Sequence, residues 1–238
     1  GLDEEQEKKL EINPIRHKEY LYHFFEGTYP YSFARGELYN YDPATKDARS
    51  CGTTASLCGI EKGGFEGDLE QVKQGIQRVL MMHAACMSME GFVMLSSGDE
   101  IGQVNDYTYK NDPEKRVDSR YIHRGKFDWK LADGRKRKGT VQKELFDGIG
   151  KLRSIRSKEK VFDASANVWT LDTWENGILG VVRELEGEQM TALFNFAEED
   201  RTAWIEEEGE YMDLYTGKKV SLQAIKMEGH SFVLAKKC

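Results

Sequence analysis

The chain has 238 residues, with 34 lysines and arginines against 41 aspartates and glutamates, and its net charge at pH 7 is -7. An acidic chain of this kind is not expected to bind nucleic acid or an anionic membrane surface, because both favour basic partners. Aromatic residues make up 11% of the chain, which excludes a disordered protein. The composition predicts a soluble globular protein, and no apolar run reaches the roughly 18 residues that a membrane span needs.

The cysteines have neither CxxC spacing nor the density of disulfide-rich secreted domains, which predicts reduced thiols and a cytoplasmic protein. The histidines lie far apart without HxxxH or HExxH spacing, so we expect no metal site. No pattern in the sequence predicts a cofactor. The chain begins at Gly1, without an initiator methionine or a signal sequence, and we therefore expect it to be a piece of a longer protein.

The first predicted element is a helix that begins at an Asn-Pro pair, residues 13–14, and ends near Gly27. Residues 28–47 follow without regular periodicity and are rich in tyrosine and phenylalanine. A loop of that length inside a compact domain is usually functional. Residues 47–60 are predicted to form the next helix.

A stronger helical pattern covers residues 68–89, which carry an apolar stripe along one face. The continuous apolar run 92–95 follows, and it is typical of a strand buried on both faces in a parallel sheet. Asp99 and Glu100 would then lie at the C-terminal end of that strand, where α/β barrels place their active sites. One acidic pair does not by itself define a site, because acidic residues are common in loops.

Residues 102–139 are predicted to be a polar loop, and residues 141–157 return to a helix. The pattern then changes to short β-prone runs separated by Asn-Gly, Glu-Gly and Thr-Gly pairs, which predicts a small antiparallel sheet domain. Residues 161–238 contain 15 acidic and 7 basic residues, whereas the charges of the preceding part nearly balance. We therefore predict two domains, residues 1–160 and residues 161–238.

Several side chains of the first domain could carry chemistry. Asp118 and Arg120 can form a bidentate pair within one turn, which either binds a polar ligand or serves a purely structural role. Arg35 and Arg49 lie near the aromatic-rich stretch that contains Tyr39. Sugar rings offer C–H faces for stacking and hydroxyl groups for hydrogen bonds, so this combination suits a carbohydrate site. The same residues also suit ordinary anchoring of a loop.

Eight short segments, taken together and in order, resemble the amylosucrase and sucrose hydrolase group of the alpha-amylase family. The resemblance extends over residues 15–160 and is highly specific as a set, and the terminal region fits the family's C-terminal β-sandwich more loosely. The segments are YHFFEG (22–27), GELYN (36–40), DPATKDAR (42–49), GTTASL (52–57), GDEIG (98–102), ND (105–106), DSR (118–120) and HR (123–124).

The resemblance implies an α+β fragment, namely the last part of a (β/α)8 barrel followed by a small antiparallel β-sandwich. The barrel part would hold the long seventh loop, the seventh helix, the eighth strand at residues 92–95 and the eighth helix. Enzymes of this group cleave sucrose through a covalent glucosyl intermediate and pass glucose to water or to a growing glucan. Sucrose and glucan are therefore the implied substrates.

The same resemblance implies roles for individual residues. The family's nucleophile, acid/base and third aspartate lie in motifs that would precede this chain. The chain is therefore expected to hold none of the catalytic carboxylates and to be inactive alone. Arg120 matches an arginine that fixes the glucosyl unit in the innermost subsite, and Arg49 matches an arginine on the acceptor side. Asp118 is implied as the partner of Arg120.

Two other hypotheses stay open at this point. The chain could be a carbohydrate-binding or interaction module that acts alone through its aromatic loop and sheet domain. It could also be a complete enzyme that uses Asp99, Glu100 and Asp118 as its carboxylates, although the family places its chemistry elsewhere. If it is a fragment, one strand cannot close a barrel, and we expect residues 92–95 to drive self-association or to repack on the sheet domain.

Overall fold

The computed structural model describes residues 4–238, which form two compact units. Unit 1 comprises the residues up to Ile76 together with Ser97–Asp133, and unit 2 comprises Gln77–Ser96 together with Gly134–Cys238. The predicted domain boundary at residue 160 stays a prediction. Gly1, on which the expectation of a missing preceding part rests, lies outside the described residues. Within the described part, every helix is too short or too polar to cross a membrane.

The predicted helix at the start of the chain is confirmed as α2 (Pro14–Glu26), which follows α1 (Glu4–Lys9). The side chain of Asn13 accepts a hydrogen bond of 3.0 Å from the backbone N–H of Arg16, as in an ordinary N-cap. Gly27 ends the helix in the left-handed region, with φ of 92°. Unit 1 also contains β1 (Glu37–Asp42), β2 (Asp47–Cys51), α3 (Thr54–Leu57), α4 (Ile60–Glu66), the first residues of α5 (Leu69–Ser88), and α6 (Trp129–Ala132).

The helix predicted over residues 47–60 is wrong in its first half, because β2 pairs there with β1 as an antiparallel hairpin. The predicted irregular stretch 28–47 accordingly contains β1. The turn between the strands depends on Asp42, whose carboxylate accepts hydrogen bonds from the N–H of Ala44 and the hydroxyl of Thr45, each 2.9 Å long. An aspartate that binds the backbone of its own turn favours a hairpin over a helix.

The helix predicted over residues 68–89 is confirmed as α5, and Asp68 accepts a hydrogen bond in its first turn. The strand predicted at residues 92–95 is wrong for this structure. Phe92 and Met94 are exposed, and no described residue pairs with this segment. A parallel strand exists only through hydrogen bonds to its neighbours, so the apolar run alone does not form one.

The predicted antiparallel sheet domain is confirmed in unit 2. Its strands are β3 (Asn167–Leu171), β4 (Ile178–Leu185), β5 (Glu188–Asn195), β6 (Arg201–Ala203), β7 (Tyr211–Asp213), β8 (Lys219–Val220), β9 (Ile225–Met227) and β10 (Phe232–Lys237). Six of them pair in the order β3-β4-β5-β10-β7-β8, and β6 pairs with β9. Glu186 and Gly187 form the two-residue turn between β4 and β5, with φ of 52° and 83°, as hairpins of this kind require.

The six-stranded sheet has an apolar core on each face, and β5 contributes to both. Met190 and Phe194 pack in a cluster with the part of α5 that belongs to unit 2 and with α7 (Val141–Lys158), which contributes Leu152. Leu193 points to the opposite face and packs with Ala203 of the two-stranded sheet. This alternation is the two-residue period of a strand. The helix predicted over residues 141–157 is confirmed as α7, and the two-stranded sheet packs on the face of the six-stranded sheet opposite this helix.

Arg183 on β4 is fully buried in unit 2, with 1% of its surface exposed. Its guanidinium donates hydrogen bonds to four backbone carbonyls, those of Val161 at 2.6 Å and of Ser88, Met89 and Asp163 at 3.1 Å each. Two of these carbonyls belong to the end of α5 and the residue after it, where helix carbonyls lack partners within the helix. Burial lowers the pKa of Arg183, chiefly through desolvation. A single side chain therefore joins α5, the segment after α7 and the sheet.

We expect Arg183→Met to lower the free energy of unfolding by about 3 kcal/mol, because four buried carbonyls lose their donors at once. Urea denaturation followed by circular dichroism measures the change. Arg153→Met is the matched control on the exposed surface of α7, with an expected change within about 0.5 kcal/mol. Equal urea midpoints for the two variants would contradict the role assigned to Arg183.

Candidate functional site

The hairpin of β1 and β2 provides one face on which several sequence-predicted site residues lie. Its register places Tyr39 directly opposite Arg49, and Glu37 directly opposite Cys51. Directly opposite residues of an antiparallel pair project to the same face. Tyr39 and Arg49 are therefore neighbours on that face, although the sequence pattern predicted neither strand.

Asp118 and Arg120 form the bidentate pair that the sequence predicts. Nε of Arg120 donates to both carboxylate oxygens of Asp118, at 2.9 and 3.2 Å, and Nη2 donates to Oδ2 at 2.8 Å. Asp118 also accepts the backbone N–H of Arg120 at 3.0 Å and thereby begins a short 3-10 helix, Ser119–His123. The guanidinium carbon of Arg120 lies 4.3 Å from the ring centroid of Tyr39. This is a cation–π arrangement, and it brings the pair to the face of the hairpin.

Hydrogen bonds attach the 3-10 helix Ser119–His123 to the hairpin. The hydroxyl of Ser119 donates to the carbonyl of Leu38 on β1 at 2.7 Å. The hydroxyl of Tyr109 donates to the carboxylate of Glu37, and burial with this contact raises the pKa of Tyr109. Cys51, Tyr109 and Ile122 form a buried apolar cluster beneath these contacts. The hairpin and the 3-10 helix are therefore held together, and this fixes the position of Arg120 over the ring of Tyr39.

The electrostatics of the pair follow from its hydrogen bonds. Hydrogen bonds from Arg120, chiefly those of its side chain and also that of its backbone N–H, lower the pKa of Asp118 to about 2, and Asp118 in turn raises the pKa of Arg120. Both groups are consequently charged at any physiological pH. Asp118 cannot donate a proton near neutrality, so it is suited to positioning Arg120 or binding a ligand rather than to acid catalysis.

Asn105 joins its own segment of the sequence resemblance, 105–106, to the segment 52–57 and to Arg35, the residue before the segment 36–40. Its Oδ1 accepts the N–H of Thr53 at 2.8 Å, and its Nδ2 donates to the carbonyl of Arg35 at 2.7 Å. Its own N–H donates to the hydroxyl of Ser56 at 3.0 Å. Next to these bonds, a Cβ on Gly36 would lie only 2.6–2.7 Å from two backbone oxygens. The close packing of these segments therefore requires glycine at that position.

A second feature of unit 1 is an open pocket of about 370 Å³ around Arg35, bordered by Lys62, Phe65, Glu66 and Tyr107. The guanidinium of Arg35 lies 4.9 Å from the ring centroid of Phe65 and 5.9 Å from that of Tyr107. The structure thus places Arg35 against aromatic rings, as the sequence suggested, but against rings outside the stretch 28–47. Phe65 and Tyr107 carried no sequence signal that pointed to a site.

Asp99 and Glu100 are the two acidic residues that the sequence pattern placed at the end of a strand over residues 92–95. Asp99 and Glu100 lie in a short 3-10 helix, Asp99–Ile101, and Glu100 accepts the backbone N–H of Gly98 at 3.0 Å. That contact gives Glu100 a local structural role. Across residues 4–238, no group of three or more histidine, cysteine or carboxylate side chains is arranged to hold a metal ion.

Comparison with known proteins supports the fold. No protein-family model matches the sequence. A trehalulose synthase from Pseudomonas mesoacidophila MX-45 is similar in structure over 68% of this chain and 38% of its own, with 14% identity and a TM-score of 0.51. A maltogenic amylase from S. marinus matches 68% of this chain and 20% of its own, with 17% identity and a TM-score of 0.47. An Anoxybacillus alpha-amylase matches 71% of this chain and 35% of its own, with 19% identity and a TM-score of 0.49.

At the identity found for the trehalulose synthase, the similarity shows a shared fold and nothing finer. The chain spans 20–38% of the length of the three structures that it matches. The part of the chain that matches therefore shares its fold with part of the trehalulose synthase.

We expect the carboxyl of Asp118 to titrate with a pKa of about 2 and to titrate at higher pH in Arg120→Met, because the side-chain hydrogen bonds are lost. The value in the variant should stay below that of a free aspartate, since the backbone N–H at residue 120 still donates. Carboxyl-carbon NMR measures both titrations. The control Arg124→Met should shift Asp118 much less, and equal shifts in the two variants would contradict the assigned pairing.

Proposed function

We propose that this chain is the C-terminal part of a sucrose-active retaining glucosyltransferase or glycoside hydrolase of the amylosucrase type. The grouping of Tyr39, Arg49, Asp118 and Arg120 on one face of the hairpin carries the proposal. In this proposal Arg120 binds the glucosyl unit of sucrose and Arg49 binds the acceptor, which is water or a glucan. The enzyme needs no cofactor and acts in the cytoplasm.

Unused hydrogen-bonding capacity at this face supports a ligand. Asp118 occupies Nε and Nη2 of Arg120, whereas Nη1 makes no hydrogen bond to any residue among 4–238, and the side chain is 40% exposed. The guanidinium of Arg49 is exposed, and it too makes no hydrogen bond within the described part. Both groups can donate to sugar hydroxyls, and Tyr39 between them holds Arg120 in place.

The chemistry of retention explains what this chain would supply. Retaining enzymes need a nucleophilic carboxylate and a second carboxyl group that is protonated at working pH, about 5 Å apart. Asp118 is ionised by its pairing with Arg120, with a pKa of about 2, and cannot be that acid. The proposal therefore assigns binding to this chain and bond cleavage to carboxylates of the full-length enzyme.

The full-length enzyme tests the two arginines separately. We expect Arg120→Met to lower kcat/KM for sucrose by about 10- to 100-fold, because a charged hydrogen bond to the substrate is lost. Arg49→Met should change the ratio of transfer to hydrolysis and leave sucrose consumption within a few-fold. Glucose and fructose release measure consumption, and glucan formation measures transfer.

Arg124→Met is the control for the loss of a neighbouring charge and should leave both quantities unchanged. The 238-residue chain alone should release no glucose from sucrose. Turnover by this chain alone, or unchanged kinetics in Arg120→Met, would overturn the proposal. Retention of the isolated chain in a glucan-containing gel, lost when Tyr39 and Tyr41 are replaced, would instead favour a carbohydrate-binding module that acts alone.

We further propose that this chain self-associates through the apolar residues 92–95. Phe92 and Met94 are 102% and 90% exposed, and adjacent apolar side chains of this kind favour association. Light scattering should show oligomers of the chain, and Phe92→Ser with Met94→Ser should shift them towards monomer. The control Phe65→Ser, at a side chain that is 80% exposed, should leave the distribution unchanged. A strictly monomeric wild-type chain contradicts this proposal.

A further inference from the structure

Two tryptophans of unit 2 lie on the surface beside a shallow pocket. Trp174 is 68% exposed and Trp204 is 56% exposed. With Ile205, Glu206 and Gln223 they line a pocket of about 470 Å³, a volume within the range of about 300–1,000 Å³ that small-molecule sites occupy. The buried side chain of Ile205 belongs to the core between the two sheets and gives the pocket a rigid floor.

The backbone that carries both indoles is held by one buried threonine. Thr173, 4% exposed, donates its hydroxyl hydrogen towards the carbonyls of Glu175 at 3.0 Å and Ile178 at 2.9 Å. Its own carbonyl accepts the backbone N–H of Trp204 at 2.9 Å. The residue before Trp174 is therefore bonded directly to Trp204. The two side chains are positioned in advance of any ligand, which lowers the entropy lost on binding.

Trp174 is held in an unfavourable backbone conformation. Its φ is 55°, in the left-handed region that bulky side chains rarely adopt. The side chain of Asp172 accepts the N–H of Trp174 at 2.8 Å and maintains this turn. Glycine would adopt the same conformation without strain. An exposed tryptophan at such a position contributes little to the core, and strain of this kind is found where function requires it.

The polar rim of the pocket identifies the ligand class. Neither the carboxylate of Glu206 nor the carboxamide of Gln223 makes a hydrogen bond or ion pair within residues 4–238. Together they offer acceptors and a donor, as neighbouring hydroxyl groups require. Residues 206–208 are three consecutive glutamates, and residues 161–238 carry 15 acidic against 7 basic residues. A field of this sign repels anionic ligands.

The geometry points to a second carbohydrate-binding site here, in which the indoles of Trp174 and Trp204 stack on the C–H faces of a neutral oligosaccharide while Glu206 and Gln223 bind its hydroxyls. Flat apolar rings with a few hydrogen-bonding groups at the edge match the alternating faces and edges of sugar rings. The charge excludes sulfated or phosphorylated glycans. The site lies wholly within unit 2 and does not depend on the proposed sucrose activity.

Affinity gel electrophoresis and titration calorimetry of the full chain with maltoheptaose test the site. Trp174→Ala and Trp204→Ala should each weaken binding by about tenfold or more, because each removes a stacking face. Trp169→Ala is the matched control, since Trp169 is an exposed tryptophan of the same unit, on β3, outside the pocket. It should bind as the wild type does. Dextran sulfate should not bind.

A second comparison separates loss of the ring from loss of folding. Trp174→Gly and Trp174→Ala should both lose binding, and the glycine variant should melt at the higher temperature because it relieves the positive φ. Equal affinity in the wild type and in the variant that lacks both indoles overturns the proposal. The absence of binding to maltoheptaose and to cellohexaose at millimolar concentration also overturns the proposal. So does the finding that a lysine-rich peptide or a second copy of the chain, rather than a sugar, occupies the pocket.

Discussion

Backbone groups outside helices and strands still need hydrogen-bond partners when they are buried, and this requirement determines how the two units of the chain are built. In unit 1, Asn105 binds Thr53, Arg35 and Ser56 and thereby joins the start of α3 to two segments outside helices and strands. In unit 2, Arg183 gives four carbonyls their donors. Each unit therefore depends on one buried polar side chain whose bonds connect segments distant in sequence.

The candidate carbohydrate face depends on the first of these arrangements. Asn105 precedes the segment that ends in the 3-10 helix Ser119–His123, and this helix is bonded in turn to β1 through Ser119. Arg120 reaches Tyr39 only because the backbone on both sides is held in place. A charged side chain fixed by a carboxylate and a ring loses little conformational entropy when a sugar binds. The hydrogen bonds that hold the backbone and the side chain of Arg120 in place thus also leave its Nη1 without a partner among residues 4–238.

The sequence predicted correctly the elements that depend on hydrogen bonds between residues close together in the chain. Asn13 and Gly27 cap the two ends of α2, and each bonds only to residues within one helical turn of itself. The Glu186-Gly187 turn likewise fixes the register of β4 and β5. Failures occurred where the outcome depends on a distant partner. Residues 47–51 became a strand because β1 lies beside them, whereas no described strand pairs with residues 92–95, of which Val93 packs against the apolar cluster of unit 2. In the same way the bidentate pair of Asp118 and Arg120 was predictable from its spacing, whereas the ring of Tyr39 beneath it was not.

Arginine serves two opposite purposes in this protein, and in neither could lysine replace it. At position 183 the guanidinium is buried and divides its five donor hydrogens among four carbonyls, whereas a lysine ammonium has about three donors and a larger desolvation cost. At position 120 the guanidinium is partly exposed and combines a planar pair with Asp118, stacking on Tyr39 and one nitrogen left for a ligand. An ammonium could satisfy Asp118, but it could not do so while also lying flat on a ring. The flat, forked shape of the side chain, rather than its charge, is what both places require.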